Sequence, residues 1–421
     1  MLRVRPFAAL HPSANKAPRI ASVPYDVIDT NEARELAEGN PFSFLHVIRS
    51  EIDLPEDTNP YDDAVYAKAK ATLDEWIENG TLIREEKPVM YLYRQVMDHK
   101  SQVGLVCCCH IDDYTNNVIK KHEKTRQDKE DDRTRHVLEM NANAEPVFLT
   151  YRAHDAVTTQ MKEDIGGRPL YHFNAPDGVT HTVWRVENPE TYMEAFKQID
   201  AAYIADGHHR SASAARAGAE RRDANPNHTG EEAYNWFMAV LFPHNELNIL
   251  PYNRVVKDLN GLSPDEFLNK LESLGTLKRD VSRKEPGETG SVCIYLDGKW
   301  HAFSFDPDSI DRNDPINSLD VALLQDRVLA PLLGVGDPRT DKRIDFVGGI
   351  RGTGELEERV NSGRAAIAFS MYPTTIEQLL AVSDAGLVMP PKSTWFEPKL
   401  RSGLFVHTLD DAPVPSGAAN S

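Results

Sequence analysis

The stretch Tyr203-Ile-Ala-Asp-Gly-His-His-Arg-Ser-Ala-Ser-Ala-Ala-Arg-Ala-Gly218 decides how this chain is read. An apolar start, an Asp-Gly pair, two histidines, an arginine and an alanine-rich run predict a strand end, a tight turn and a helix. Such a helix leaves its first backbone N–H groups without acceptors and points the positive end of its dipole forward. His208, His209 and Arg210 add donors and charge at the same spot, so the turn suits an anion, phosphate above all. The plainer reading makes Asp206 a cap, Gly207 a turn residue and Arg210 a solvated side chain.

Outward from this turn the chain alternates strand and helix signals without a strict βαβ rhythm, which favours an α+β fold. Helices are expected over Asn31–Glu38 and Asp62–Asn79, each stopped by a glycine, and through most of the charged run Ile119–Met140. Strands are expected at Ser43–Ile48, Val147–Tyr151, His181–Val186 and Ala202–Ala205, with a hairpin joining Val89–Val96 to Ser101–Ile111. Glu231–Leu241 reads as helix passing into a strand, and Asn248–Val256 as the close of a first region. At 421 residues two domains are the default, and the boundaries implied are 1–257, 258–410 and a Pro-, Ser-, Gly- and Ala-rich tail, 411–421. Within the second region, Ser291–Phe305 reads as a hairpin turned by Asp297-Gly298.

Phosphoryl transfer requires a phosphate cradle, cations on the phosphate oxygens and a carboxylate to take the proton of the attacking hydroxyl. Asp206, Gly207, His208, His209 and Arg210 form the candidate cradle, with Asp206 also the candidate Mg²⁺ ligand beside nucleotide phosphates. Glu51, with Asp53 behind it, is the candidate base, because both follow the expected strand Ser43–Ile48 on a short loop. On the charged helix His122, Lys129 and Arg133 fall at i, i+7 and i+11, one face that could hold a polyphosphate. Met389-Pro-Pro-Lys-Ser-Thr-Trp-Phe-Glu-Pro-Lys399 offers Lys392 and Lys399 as further donors but lacks the glycines of a Walker loop.

The central box resembles the second signature box of the ParB/sulfiredoxin superfamily, and more closely its Asp-Gly-His-His-Arg form in free L-serine kinases. Seven further stretches, Arg5-Pro-Phe-Ala-Ala-Leu10, Pro24-Tyr-Asp-Val27, Asn40-Pro-Phe-Ser-Phe-Leu-His-Val47, Glu51-Ile-Asp-Leu-Pro55, His122-Glu-Lys-Thr125, Leu250-Pro-Tyr-Asn-Arg-Val255 and Met389–Phe396, make the whole chain similar to a long bacterial family, domain of unknown function 1015. The resemblance implies a ParB/sulfiredoxin-like mixed α/β core with insertions, a second α+β domain, and ATP or ADP with Mg²⁺. It further implies transfer of phosphate to the hydroxyl of a small metabolite, free L-serine first, to give O-phospho-L-serine. Two rivals stand beside it: a phosphatase acting on phosphoserine or a related monoester through His208 or His209, and a ParB-like nucleotide-sensing or DNA-associated regulator.

Composition bears on these rivals. A formal net charge of −18 argues against a mainly electrostatic nucleic-acid or membrane partner. No apolar run approaches a membrane span and no signal-peptide core follows Met1, so a cytoplasmic location is expected. Cys107, Cys108 and Cys109 lie consecutively in an apolar run. On a strand they would face alternate sides and could not share one zinc ion.

Overall fold

The computed structural model describes residues 1–410, so the expectation for 411–421 lies outside the described residues. Two compact units are formed: Met1–Glu246 together with the segment from Pro398 onward, and Leu247–Glu397. The chain therefore enters the second unit at Leu247, eleven residues before the expected start at 258, and returns to the first at Pro398. Asn248–Val256, read from sequence as the close of the first region, belongs to the second unit.

The first unit is built on a nine-stranded mixed sheet. Its strands are β1 (Val4–Arg5), β2 (Tyr91–Met97), β3 (Lys100–His110), β4 (Ile119–Lys120), β5 (Val147–Tyr151), β6 (Tyr171–Asn174), β7 (Thr180–Arg185), β8 (Ala202–Asp206) and β9 (Trp236–Pro243). They lie in the order β4-β8-β5-β9-β3-β2-β7-β6, with β1 also paired to β3. β8 runs parallel to β4 and antiparallel to β5, and β9 runs parallel to β5, so the sheet is mixed where the decisive stretch enters it. The α+β class expected from the sequence is borne out. The β2–β3 hairpin also forms, turning through Asp98 and His99, both at positive φ.

One sheet face buries Leu105, Cys107, Cys109, Leu149, Ile204 and Leu241 in a common core. Cys108 points the other way, as strand alternation requires, and all four cysteines are free and buried. Three helices matter for the site: α1 (Asp63–Glu78), α2 (Gln127–Met140) and α3 (His208–Ala224). α3 packs along α2. Its buried Ala212, Ala214, Ala215 and Ala217 let it approach its neighbours closely.

Two expected elements are corrected, and one residue is moved off its expected helix. Ser43–Ile48 is not a strand: Leu45–Ile48 is a short helix followed by a 3₁₀ turn, Ser50–Asp53. A short apolar run has no decisive period. Burial of Phe44, Leu45, Val47 and Ile48 against Leu73 and Trp76 of α1 settles it as helix. The charged run Ile119–Met140 is helical through most of its length, as expected, but the helix starts at Gln127, so His122 lies in an irregular segment, 121–126, after strand β4 and not on the helix with Lys129 and Arg133. Glu231–Leu241 holds a single 3₁₀ turn, Ala233–Asn235, before β9 takes over.

The second unit has a six-stranded antiparallel sheet. Its strands are β10 (Tyr252–Val256), β11 (Gly275–Lys278), β12 (Ser291–Leu296), β13 (Lys299–Phe305), β14 (Ile344–Gly348) and β15 (Ile367–Met371), in the order β11-β13-β12-β15-β10-β14. β12 and β13 are the expected hairpin, with Asp297 and Gly298 both at positive φ. This is the backbone that a two-residue Asp-Gly turn favours. No helix among the described residues is long and apolar enough to cross a membrane.

Candidate active site

β8 is buried through Ala205 and carries a bulge between Ile204 and Asp206, where its register against β5 shifts. A bulge changes which way the next side chain points. Gly207 follows at φ 98°, ψ 37°, a left-handed conformation that costs glycine nothing, and α3 begins at His208. The first intrahelical bond is Ser211 N–H to the Gly207 carbonyl, 2.9 Å. The N–H groups of His208, His209 and Arg210 therefore have no acceptor within the helix. The expected strand, turn and helix are all present.

Asp206 is not a cap: no side chain caps α3. Its carboxylate instead lies 3.3 Å from Lys399 Nζ and 3.5 Å from Arg210 Nη2. Burial pushes its pKa up, but Lys399 and Arg210 prevail and hold it well below the usual carboxylate range. Arg210 is itself buried, 8% exposed. It donates through Nη1 to the Pro146 carbonyl at 2.6 Å, and its Nη2 lies 3.5 Å from Asp26 Oδ2. Its Nε is buried with no hydrogen-bond partner among the described residues. Burial would lower its pKa, yet Asp26, Asp206 and Glu145 raise it, so the guanidinium stays charged. A solvated first-turn arginine is thus excluded.

Arg133 approaches from α2. Its guanidinium stands 4.4 Å from the Tyr25 ring centroid and pairs with Asp132 at 2.9 Å, while its Nη1 is buried without a hydrogen-bond partner among the described residues. Arg133, Arg210, Glu145, Asn143 and Ser213 line one small cavity of about 30 Å³, room for roughly one water. Glu145 accepts from Tyr25 N–H at 3.1 Å and Ser402 Oγ at 2.9 Å. Its burial raises its pKa, partly offset by Arg210.

The histidines are not the cationic donors expected from the sequence. His208 Nε2 accepts the His122 backbone N–H at 3.4 Å, and its Nδ1 lies 3.7 Å from Glu123 Oε2. The His122 and His208 rings meet edge to face, centroids 4.5 Å apart. His209 Nε2 accepts the Arg126 backbone N–H at 3.1 Å. Burial lowers all three pKa values, His122 to about 4, so the rings are neutral near pH 7. Positive charge at the turn comes from Arg210 and Lys399 instead.

His122, Asp206, Gly207, His208, His209, Arg210 and Arg133 are brought together, though His122 arrives from the irregular segment and not on the face of α2. Lys129 turns elsewhere, donating to Tyr61 Oη at 2.8 Å. Glu51 is 4% exposed and closed in by Arg49 Nε at 3.4 Å and Thr30 Oγ1 at 3.2 Å. Asp53 pairs with His46 at 2.8 Å. No hydrogen bond or ion pair found among the described residues joins either acid to the turn. Lys392 belongs to the second unit, at positive φ, with Nζ 5.4 Å from the Tyr252 ring. Asp26, Glu145 and Lys399 complete the site. Asp26 was readable in the Pro24-Tyr-Asp-Val27 stretch, whereas nothing local marks Glu145.

The donor set does not assemble a metal centre on the protein. Asp206 is engaged by two cations, and no group of three or more His, Cys, Asp or Glu suited to a metal occurs among the described residues. Asp206 as a Mg²⁺ ligand needs only one protein carboxylate beside nucleotide phosphates and therefore stays a proposal.

Three solved structures are similar to the chain at low sequence identity. It is similar to a free serine kinase mutant solved with AMP, at 14% identity and a TM-score of 0.36, over 76% of this chain and 93% of that one. A conserved hypothetical protein from Pyrococcus furiosus is similar at 15% identity and a TM-score of 0.33, over 72% and 95%. SbnI with a C-terminal truncation, from Staphylococcus aureus, is similar at 10% identity and a TM-score of 0.38, over 75% and 90%. Curated protein sequences give no match. The family model described as protein of unknown function (DUF1015) matches residues 4–322, and the chain belongs to that family.

Proposed function

We propose that this protein is a nucleotide-dependent phosphotransferase that moves phosphate from ATP or ADP to the hydroxyl of a small metabolite, with free L-serine the first acceptor to test. One observation carries the reading: the left-handed Gly207 turn brings the free N–H groups of α3 and the buried Arg210, its Nε unpartnered among the described residues, to one place beside Lys399. Fixed donors of this kind suit phosphate in the ground state and the charge that spreads over a phosphoryl group in flight. Any Mg²⁺ would arrive on the nucleotide, where it neutralises phosphate charge.

For the proton acceptor we take Asp26 ahead of Glu51. The Asp26 side chain is 34% exposed and reaches Arg210, whereas the Glu51 carboxylate is 6% exposed. In this reading the acceptor oxygen attacks the terminal phosphorus and its proton passes to the Asp26 carboxylate. The phosphorus–oxygen bond to the nucleotide breaks, and the shortened nucleotide leaves with the electron pair. A phosphohistidine route is disfavoured because the Nε2 atoms of His208 and His209 already accept backbone N–H groups.

The test is incubation with terminally labelled ATP, or labelled ADP, and serine. Labelled O-phosphoserine with unlabelled protein is the expected product. Acid-labile label retained on the protein, or phosphate released from phosphoserine without nucleotide, overturns the reading in favour of the phosphatase.

A further inference from the structure

Segment 121–126, between β4 and α2, has no regular structure and carries Lys121, Lys124 and Arg126 beside the α3 N-terminus. It is tied to α3 at both ends. The backbone N–H of His122 donates to His208 Nε2, and the backbone N–H of Arg126 donates to His209 Nε2. A histidine accepts at Nε2 only when that nitrogen is unprotonated. Protonating His209 would turn the acceptor into a donor facing another donor, and the bond to Arg126 would be lost.

We propose that His209 is a positioning residue: its neutral ring latches segment 121–126 onto the N-terminus of α3, and its protonation releases the segment. The latch rests on backbone hydrogen-bond geometry. Its effect on ligand binding rests additionally on reading the α3 N-terminus as the phosphate site, where a closed segment holds its cations near the nucleotide.

The groups facing His209 set the direction of the switch. Burial lowers its pKa first, Arg126 and Lys129 work in the same sense, and Asp26 and Asp128 oppose them. The neighbouring His208 ring is faced by His122, Glu123, Asp206 and Arg210. The closed state thus disfavours the proton. Closure is complete above the ordinary histidine range and is lost as pH falls below it.

Hydrogen–deuterium exchange over peptides covering 120–127, corrected for intrinsic rates, tests the latch in the full-length protein. It compares wild type, His209→Gln and His209→Leu at about pH 7.5 and about pH 5.5. The glutamine amide oxygen can accept near the position of Nε2 but does not titrate. Wild type is expected to be protected at the higher pH and not at the lower, the glutamine variant at both, and the leucine variant at neither. Equal protection of wild type at both pH values, or full protection of the leucine variant, overturns the latch. ATP calorimetry on the same samples should show wild-type affinity falling about tenfold in acid, the worth of one hydrogen bond, with a smaller fall in the glutamine variant, which controls for titration of ATP itself. The expected exchange pattern without ATP binding at any pH leaves the latch standing and sinks the phosphate-site reading.

Discussion

Two left-handed glycine turns, one in each unit, show how the same backbone device serves different ends. Gly298 closes the β12–β13 hairpin at φ 74°, and a Cβ placed there would meet nothing within 4 Å. Gly207 joins β8 to α3 at φ 98°, and a Cβ there would sit 3.1 Å from the Arg210 guanidinium. The first turn reverses the chain at the surface. The second packs a backbone bend against a buried cation flanked by Asp26, Asp206 and the Pro146 carbonyl. A positive-φ turn is therefore a statement about backbone, and its surroundings decide whether it has chemistry.

The contrast breaks hardest at Arg210. Arg210→Ala removes a buried cation from three partners and should cost about 3–5 kcal/mol in denaturant unfolding, as loss of one partner of a buried ion pair does. Arg210→Lys should keep the fold and lose nucleotide affinity in calorimetry, because the ammonium has no planar fork. Unchanged affinity would mean that Arg210 is purely structural.

Next in size is turnover. Asp26→Asn should lower kcat by ~100-fold or more, with nucleotide affinity nearly intact, as loss of a general base predicts. Glu51→Gln, on a buried carboxylate tied to Arg49, should lower kcat less. The reverse ranking in steady-state assays would return the role to Glu51.

The glycines themselves give a smaller and sharper comparison. Gly298→Ala should cost about 1 kcal/mol, the price of a left-handed Cβ alone. Gly207→Ala should cost more than that, because its Cβ also presses on Arg210, and should weaken nucleotide binding. Equal thermal shifts in the two variants would show that the close approach to Arg210 is relieved without strain. Smallest of all, Lys129→Ala should stay within about 0.5 kcal/mol of wild type and leave nucleotide binding unchanged, since its amine is engaged by Tyr61 at the surface.

How much of the site was readable from sequence follows the distance over which each residue acts. Asp206, Gly207 and Arg210 were readable because strand, turn and helix are contiguous and their signals local. The role of the histidines was misread: two rings at a helix start look like donors to an anion until the segment they hold is in place. Glu51 was misplaced for a related reason. Ser43–Ile48 is too short for its period to choose between strand and helix, and packing against α1 chose helix, folding Glu51 into the interior.

The sequence by itself determined the α+β class, the β2–β3 and β12–β13 hairpins and the strand–turn–helix at Asp206. Each follows from local periodicity, turn chemistry or capping within some twenty residues. Tertiary structure decided which charges meet. Asp26, Glu145, Asp206, Arg133, Arg210 and Lys399 are spread over more than 370 positions of the chain, from residue 26 to residue 399. Burial then fixes what each can do. It leaves His122, His208 and His209 neutral, while acidic neighbours keep Arg210 charged and cationic neighbours keep Asp206 ionised. The physical reason is that the cost of burying a charge depends on partners brought in by the sheet and the returning C-terminal segment, which no local pattern encodes.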